Sequence, residues 1–515
     1  MYRSIKIVAF LAVSAIAILS GCRKDLGNYS YNEINNGSIS GIDSAYSVRQ
    51  GAQLKINPVL EFTMEKDTSK YTYEWFSLDG LANPIIRRTM ARTLNLDWTV
   101  SLPAKDNAYK VYFKVTEKST GQSWNTYTML KVSTNIADGW AILNEVNGAA
   151  RLDYLNYLPA TDSFEYYKDI LATQQSIVLK GKPVSVSFWY RRNAFTAAYT
   201  KTLAVSTDNT TTLFNTTNNK FSDYTDISKN VATYNPPPYY SLSFQTDGKV
   251  DYIAFMYDNL GNLSFENATS GYPFGNRINR TSDLAPFNIS KWIATETQQV
   301  PNYELMYDTD HKRFMEHRGT NSYSTIAANT NAGQGGTPLF DPANMGMELM
   351  YMTYTQAIDG RIYAVFKDNS GAVYLARIKA AYTTFIPLSF DKISDYAPNI
   401  ASATNFAVDP SEGYLFYTIG SKVYRYTPDR KTNVMVADYG DKTITVFKFQ
   451  RVVYGLSNAR YKTYGAKLMV CSYDAASPGG SGKMDLYNVP NLDGNVTLYK
   501  SYTGFDKIVS VTYRE

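Results

Sequence analysis

Cysteine and histidine are nearly missing, with two of each in 515 residues. Two cysteines cannot build a disulfide framework. The two histidines, His311 and His317, lie six positions apart in "DTDHKRFMEH", and neither an HExxH helix nor a Cys/His cluster accompanies them. Asp308 and Asp310 in the same stretch suggest a structural Ca²⁺, but the later ligands of an EF-hand loop are missing, so the acids read as turn residues and the histidines as turn or surface residues. No GxSxG elbow occurs, and "GQGG" (333–336) lacks the Lys-Ser/Thr of a phosphate loop. No pair among the 46 acidic residues stands out as the two carboxylates of a glycosidase. The expectation is therefore no catalytic residue, no metal and no cofactor. A strong charge of one sign is also missing: the formal net charge is +5, and no Lys/Arg block marks a nucleic-acid surface.

Long apolar runs are absent beyond the first 21 residues. There, Arg3 and Lys6 precede an apolar stretch, Ile7 to Leu19, broken only by Ser14. It is short of the ~20 residues of a membrane-spanning helix and suits a signal peptide. Leu19-Ser20-Gly21-Cys22 follows as a lipobox, in which Cys22 is acylated and becomes the mature N-terminus. The bland alternative is a small-residue cleavage site before an ordinary Cys. Acyl chains contribute about 0.8 kcal/mol per buried CH₂, so several on one residue anchor a chain without a spanning helix. The expected partner is outer-membrane lipid. Removal of residues 1–21 leaves 49 basic and 46 acidic residues, a balance of +3. Cys471, in "KLMVCSYD", is then the remaining thiol and reads as a small core residue.

Aromatic residues are plentiful: 44 Tyr, 24 Phe and 6 Trp, interspersed with Asn, Thr, Ser and Gly. This is the vocabulary of strands and turns, and predicts an all-β protein of more than one domain. After a tether (22–37), residues 38–134 show short alternating strands, among them "YTYEWF" with Trp75 and "TLNLDWTV". They predict an immunoglobulin-like β-sandwich with Trp75 in its core.

Past a short linker (135–138), strand-turn-strand units begin near 140, 203, 254, 304, 364, 415 and 468, spaced by 63, 51, 50, 60, 51 and 53 residues. A period near 50 built of hairpins predicts a β-propeller, here seven-bladed over 139–515. Later units carry an additional strand before the hairpin, such as "TNFAVDP", but the first has no room for one. The C-terminal "KIVSVTYRE" is expected to supply it and close the ring.

The lipobox with "KDLGNYSY", the sandwich with "YTYEWF" and the C-terminal propeller together resemble the PKD-like family lipoproteins of Bacteroidota. The resemblance implies a place at the cell surface, beside a TonB-dependent outer-membrane transporter and its SusD-like lid, and a role in nutrient capture. The direction in which the anchored protein faces stays open.

Candidate ligand contacts lie between strands. "FWYRRNAFTAAY" (188–199) offers Trp189, Tyr190, Arg191 and Arg192; "NPPPYY" offers Tyr239 and Tyr240; "GYPFGNR" adds Tyr272 and Phe274; "SKWIATET" adds Trp292. Flat rings stack on sugars or clamp peptide side chains, and Arg supplies directed hydrogen bonds. Trp189 and Trp292 also read as core residues of strands. Residues 316–346 read as the longest loop. The expected function is non-catalytic capture of an oligosaccharide or oligopeptide. Its rivals are a propeller hydrolase or lyase acting on polysaccharide, and a scaffold that touches only the transporter complex.

Overall fold

The structure is a computed structural model that describes residues 33–79, 85–104, 107–134, 136, 138–175, 177–192, 199–231, 241–243, 253–267, 274–275, 277–295, 303–319, 321–330, 338–355, 361–450 and 459–515. It is all-β, with 56% strand and 6% helix. Two compact units are distinguished. The first comprises residues up to 45, 55–98 and 109–129; the second comprises 46–54, 99–108 and 130–515. Among the described residues no helix is long and apolar enough to cross a membrane.

In the N-terminal part a five-stranded sheet runs in the order Ala45–Arg49, Ser123–Ser133, Tyr109–Glu117, Tyr71–Asp79, Ile86–Ala91. Alternation along Tyr109–Glu117 buries Val111, Phe113 and Val115 and turns Lys110, Tyr112 and Lys114 outward. Trp75 is fully buried, stacks on Phe113 at 4.4 Å, and donates its indole N–H to the Thr93 carbonyl at 3.1 Å. That position is the core role its sequence setting suggests.

Among the described residues from Gly139 onward there are seven antiparallel sheets. The first is ordered Ser163–Tyr167, Ala149–Leu158, Gly139–Val146, Lys507–Arg514. The second holds Pro183–Arg192, Tyr199–Thr207, Thr211–Asn215 and Asp223–Asp226, and the third Ser241–Ser243, Ile253–Asp258 and Leu263–Asn267. The fourth holds Ala294–Thr295, Tyr303–Asp308, Arg313–Arg318 and Thr325–Ile326, and the fifth Glu348–Thr355, Arg361–Lys367, Val373–Ala381 and Thr384–Lys392. The sixth holds Asn405–Val408, Leu415–Ile419, Lys422–Thr427 and Thr432–Asp438, and the seventh Thr443–Phe449, Lys467–Tyr473, Gly482–Asn488 and Thr497–Phe505. The C-terminal strand pairs with Gly139–Val146, placing Val511 opposite Ile142 and Tyr513 opposite Trp140.

Local chemistry fixes the hairpins. Asp258 Oδ1 accepts from the backbone N–H groups of Leu260 and Asn262, each at 2.9 Å, and Asp368 Oδ1 does the same for Ser370 and Ala372 at 2.8 and 2.9 Å. Each turn contains a left-handed glycine, Gly261 at φ +77° and Gly371 at φ +86°, a conformation that penalises a Cβ.

Each sheet packs on the next through apolar side chains. Leu143 and Leu152 of the first meet Val186 and Leu203 of the second. Ala204 of the second meets Met256 of the third, and Phe255 of the third meets Met306 of the fourth. Phe314 of the fourth meets Phe366 of the fifth, Leu375 of the fifth meets Tyr417 of the sixth, and Phe416 of the sixth meets Val470 of the seventh. Met469 and Leu486 of the seventh then meet Ile142 and Val511 of the first. The order of packing thus returns to its start. Tyr461 and Tyr464, on the short helix Ala459–Gly465, seal this last junction against Tyr513 and Trp140.

Three sequence readings are corrected. His317 is not a turn or surface residue: the strand Arg313–Arg318 runs on past the turn and buries it completely against Phe255 and Phe265. Residues 316–346 are not one loop, since they begin inside that strand and include the strand Thr325–Ile326. Phe274, expected among the candidate ligand contacts, is fully buried and bridges to Val231, so its ring is core and not open to a ligand.

Candidate functional site

The strand Pro183–Arg192 is covered on both faces, and its alternating side chains divide between two neighbours. Trp189 is 2% exposed and packs with Ala204, Ala254 and Met256 toward the third sheet. Its ring is therefore not open for stacking on a ligand. Phe188 and Tyr190 turn the other way, toward the first sheet. Tyr190 meets Phe188 and Tyr199 edge-on at 5.4 and 6.4 Å and donates its hydroxyl to Glu515. Burial, then this carboxylate, pushes the phenol's pKa well up. Arg191 pairs with the buried Glu266 of the third sheet. Arg192 ends the strand.

Trp292 lies apart from this strand, at the fifth sheet. It is half-buried, meets Tyr351 edge-on at 4.8 Å, and carries Lys291 Nζ 4.9 Å over its ring. It precedes the strand Ala294–Thr295 rather than lying within it. Cys22, Tyr239, Tyr240 and Tyr272 fall outside the described residues.

Around Tyr190 the end of the C-terminal strand gathers a buried polar cluster. Arg514 is fully buried, donates to the Tyr154 hydroxyl at 3.2 Å and the Thr216 carbonyl at 3.5 Å, and contacts Asn219 Oδ1. Burial raises the Tyr154 pKa to about 12 despite that cation. Burial and, secondarily, Arg514 lower the pKa of Lys201. On the far side, Asp138 Oδ2 accepts from the Tyr513 hydroxyl at 2.9 Å and from Arg460 at 2.5 Å. Lys448, on the seventh sheet, donates to the Val511 carbonyl at 2.6 Å, and burial pulls its pKa down to about 8. These groups tie the first sheet to its neighbours on both sides. Arg514, Glu515, Asp138, Arg460 and Lys448 were not singled out in the sequence, although the expected return of "KIVSVTYRE" to the first sheet was the signal that could have drawn Arg514 and Glu515 toward Tyr190.

Asp409, just beyond the strand Asn405–Val408, is 1% exposed. Its Oδ2 accepts from the Glu412 N–H at 2.5 Å, while its Oδ1 is buried without a partner. Burial lifts its pKa to about 6, a range in which a carboxyl exchanges protons near neutrality.

The His/Asp stretch forms a closed local network. Asp308 Oδ2 takes His311 Nδ1 at 2.8 Å and Arg313 Nε at 3.0 Å, while its Oδ1 caps the N–H groups of Asp310 and His311. Asp310 faces Asn288 at 3.3 Å. Among the described residues no three His, Cys, Asp or Glu side chains are grouped to hold a metal.

Residues 22–183 match the PKD-like family. None of the curated proteins matches the chain. Among solved structures, a quinonprotein alcohol dehydrogenase-like protein from Bacteroides thetaiotaomicron aligns over 92% of this chain and 95% of its own, at 12% identity and a TM-score of 0.49. A DUF4784 family protein from Bacteroides caccae aligns over 93% and 99%, at 10% identity and a TM-score of 0.28. An Agrocybe aegerita lectin recognising terminal N-acetylglucosamine aligns over 72% and 90%, at 10% identity and a TM-score of 0.37. Likeness at this level carries no function across.

Proposed function

We propose that the chain is a non-catalytic capture protein of the outer membrane, anchored through acylated Cys22. In this reading residues 38–134 form a PKD/Ig-like β-sandwich, and residues 139–515 a seven-bladed β-propeller closed by the C-terminal strand. The propeller holds an oligosaccharide or oligopeptide for a TonB-dependent transporter with its SusD-like partner. The observation that carries the reading is how the inner polar groups are used. Arg191 is engaged by Glu266 and Tyr190 by Glu515, ties between sheets adjacent in the packing order, and Arg460 of the short helix Ala459–Gly465 is engaged by Asp138, which immediately precedes the first sheet. Charges used in this way stiffen a body that presents its loops in fixed positions, and a preorganised surface loses less entropy on binding.

Asp409 favours a second reading, a propeller hydrolase or lyase, because a buried carboxyl with a pKa of about 6 suits general acid–base work. One experiment separates the readings: incubation of the full-length protein with glycan and peptide libraries, followed by melting and product analysis. A raised Tm without turnover is expected for at least one ligand class. Product release that disappears in Asp409→Asn would establish the enzyme instead. No shift and no product, with co-purification of the transporter alone, would leave only the scaffold.

A further inference from the structure

We propose that the outward face of the five-stranded N-terminal sheet binds an extended anionic polysaccharide, one bearing carboxylate or sulfate groups, through a row of aromatic rings flanked by cations. The row crosses adjacent strands. Phe76 stacks on Tyr112 at 5.2 Å with 8° between planes, and Tyr112 meets Tyr127 at 5.9 Å. Arg87 lies 3.9 Å over the Phe76 ring, and Lys110 Nζ lies 3.9 Å over Tyr127 and 5.1 Å from Tyr112.

These side chains point away from the core. On the opposite face of the same strands Trp75, Val111, Phe113 and Val115 are already buried, so core packing does not call for rings on the outer side. Cross-strand aromatic pairs do stabilise a sheet. That function leaves unexplained why Tyr127 stays 52% exposed and its neighbour Met129 37% exposed.

Charge selects the occupant. Arg87, Lys110 and Lys114 face outward against Glu74, which Arg87 engages at 2.8 Å, leaving the surface net positive. The core of a protein–protein interface is depleted of charge, whereas here a lysine sits between the two tyrosines at the centre. Cations at the centre, ring edges and two phenolic hydroxyls match a polymer of hydroxyl and acid groups better than an apolar protein face. The surface lies on the first compact unit, so its failure would leave the reading of the seven sheets untouched.

The test uses the full chain in affinity electrophoresis through polygalacturonate, heparin and neutral dextran. Retention by an acidic polymer is expected, with little retardation by dextran and weakening as salt is raised. Tyr127→Ala and Lys110→Gln are each expected to cut retention about tenfold while melting like the parent; Lys110→Gln removes the charge while keeping an unbranched polar side chain, one atom shorter. No retention by either acid polymer, equal retention by dextran, or undiminished retention of a folded Lys110→Gln protein would overturn the proposal. So would capture of a protein partner, in place of either polymer, that Tyr127→Ala abolishes.

Discussion

Where both faces of a strand are covered, a polar side chain must find its partner inside the protein or shift its protonation, and His317 and Asp409 shift in opposite directions. Burial lowers the His317 pKa to about 4, and its Nε2 donates to the Asn321 carbonyl at 2.7 Å. The unfolded imidazole takes a proton near pH 6.5 while the folded one does not, so its contribution to stability is lost as pH falls from about 6.5 to 4. His317→Gln should remove up to about 3 kcal/mol of acid sensitivity in urea titrations across that window. Asp409 has the reverse sign: its folded pKa of about 6 exceeds the 3.8 of an ordinary aspartate, so rising pH favours the unfolded chain. Asp409→Asn should therefore be more stable than the parent above pH 6, by up to about 3 kcal/mol, and equal to it at pH 3.8 and below. The first of these residues was misplaced in the sequence for a physical reason. Period-two alternation says which side chains share a face, but not that a neighbouring sheet covers the polar face as well. Trp189 shows the same ambiguity: an aromatic at a strand end reads equally as platform or as core.

Hairpins were the most legible elements. The starts expected near 140, 203, 254, 304, 364, 415 and 468 fall at or within four residues of the strands beginning at Gly139, Tyr199, Ile253, Tyr303, Arg361, Leu415 and Lys467. They could be read because turn chemistry is local: an Asp that caps two N–H groups and a left-handed glycine are written in four consecutive residues. The helix Ala459–Gly465 was not legible, because its two tyrosines take their places from Trp140 and Tyr513, distant in sequence. Close backbone approach was equally hidden. A Cβ on Gly482 would lie 1.9 Å from the Asp506 carbonyl oxygen, and nothing lies within 4 Å of one on Gly479. Gly482→Ala should cost at least about 2 kcal/mol in chemical denaturation, and Gly479→Ala within about 0.5 kcal/mol of nothing. Equal losses at both sites would mean that the seventh sheet does not meet the closing segment as described.

Across the whole of the second unit, arginines stitch neighbouring sheets. Arg377 reaches Asp429 at 2.5 Å, Arg425 reaches the Gly494 carbonyl at 2.7 Å, and Arg151 reaches Asp506 at 2.7 Å. The planar guanidinium suits such fixed crossings better than a lysine would. Apolar packing closes the same circle, so deletion of 507–515 should abolish the cooperative melting transition by exposing Trp140, Ile142 and Met469. An unchanged melting curve would sink the closure. The first sheet also unites residues far apart in the chain: Asp138 and Tyr513, hydrogen-bonded at 2.9 Å, are separated by 375 positions. Joining ends so distant costs an unfolded chain ~5 kcal/mol by loop-closure entropy alone. That cost falls largely away once the intervening sheets have stacked and carried residues 507–514 back beside Gly139–Val146. Assembly should therefore finish at this seam, and until it does the Gly139–Val146 edge is free to pair with another molecule. Strand exchange between copies at this seam is thus the characteristic hazard of refolding at high concentration.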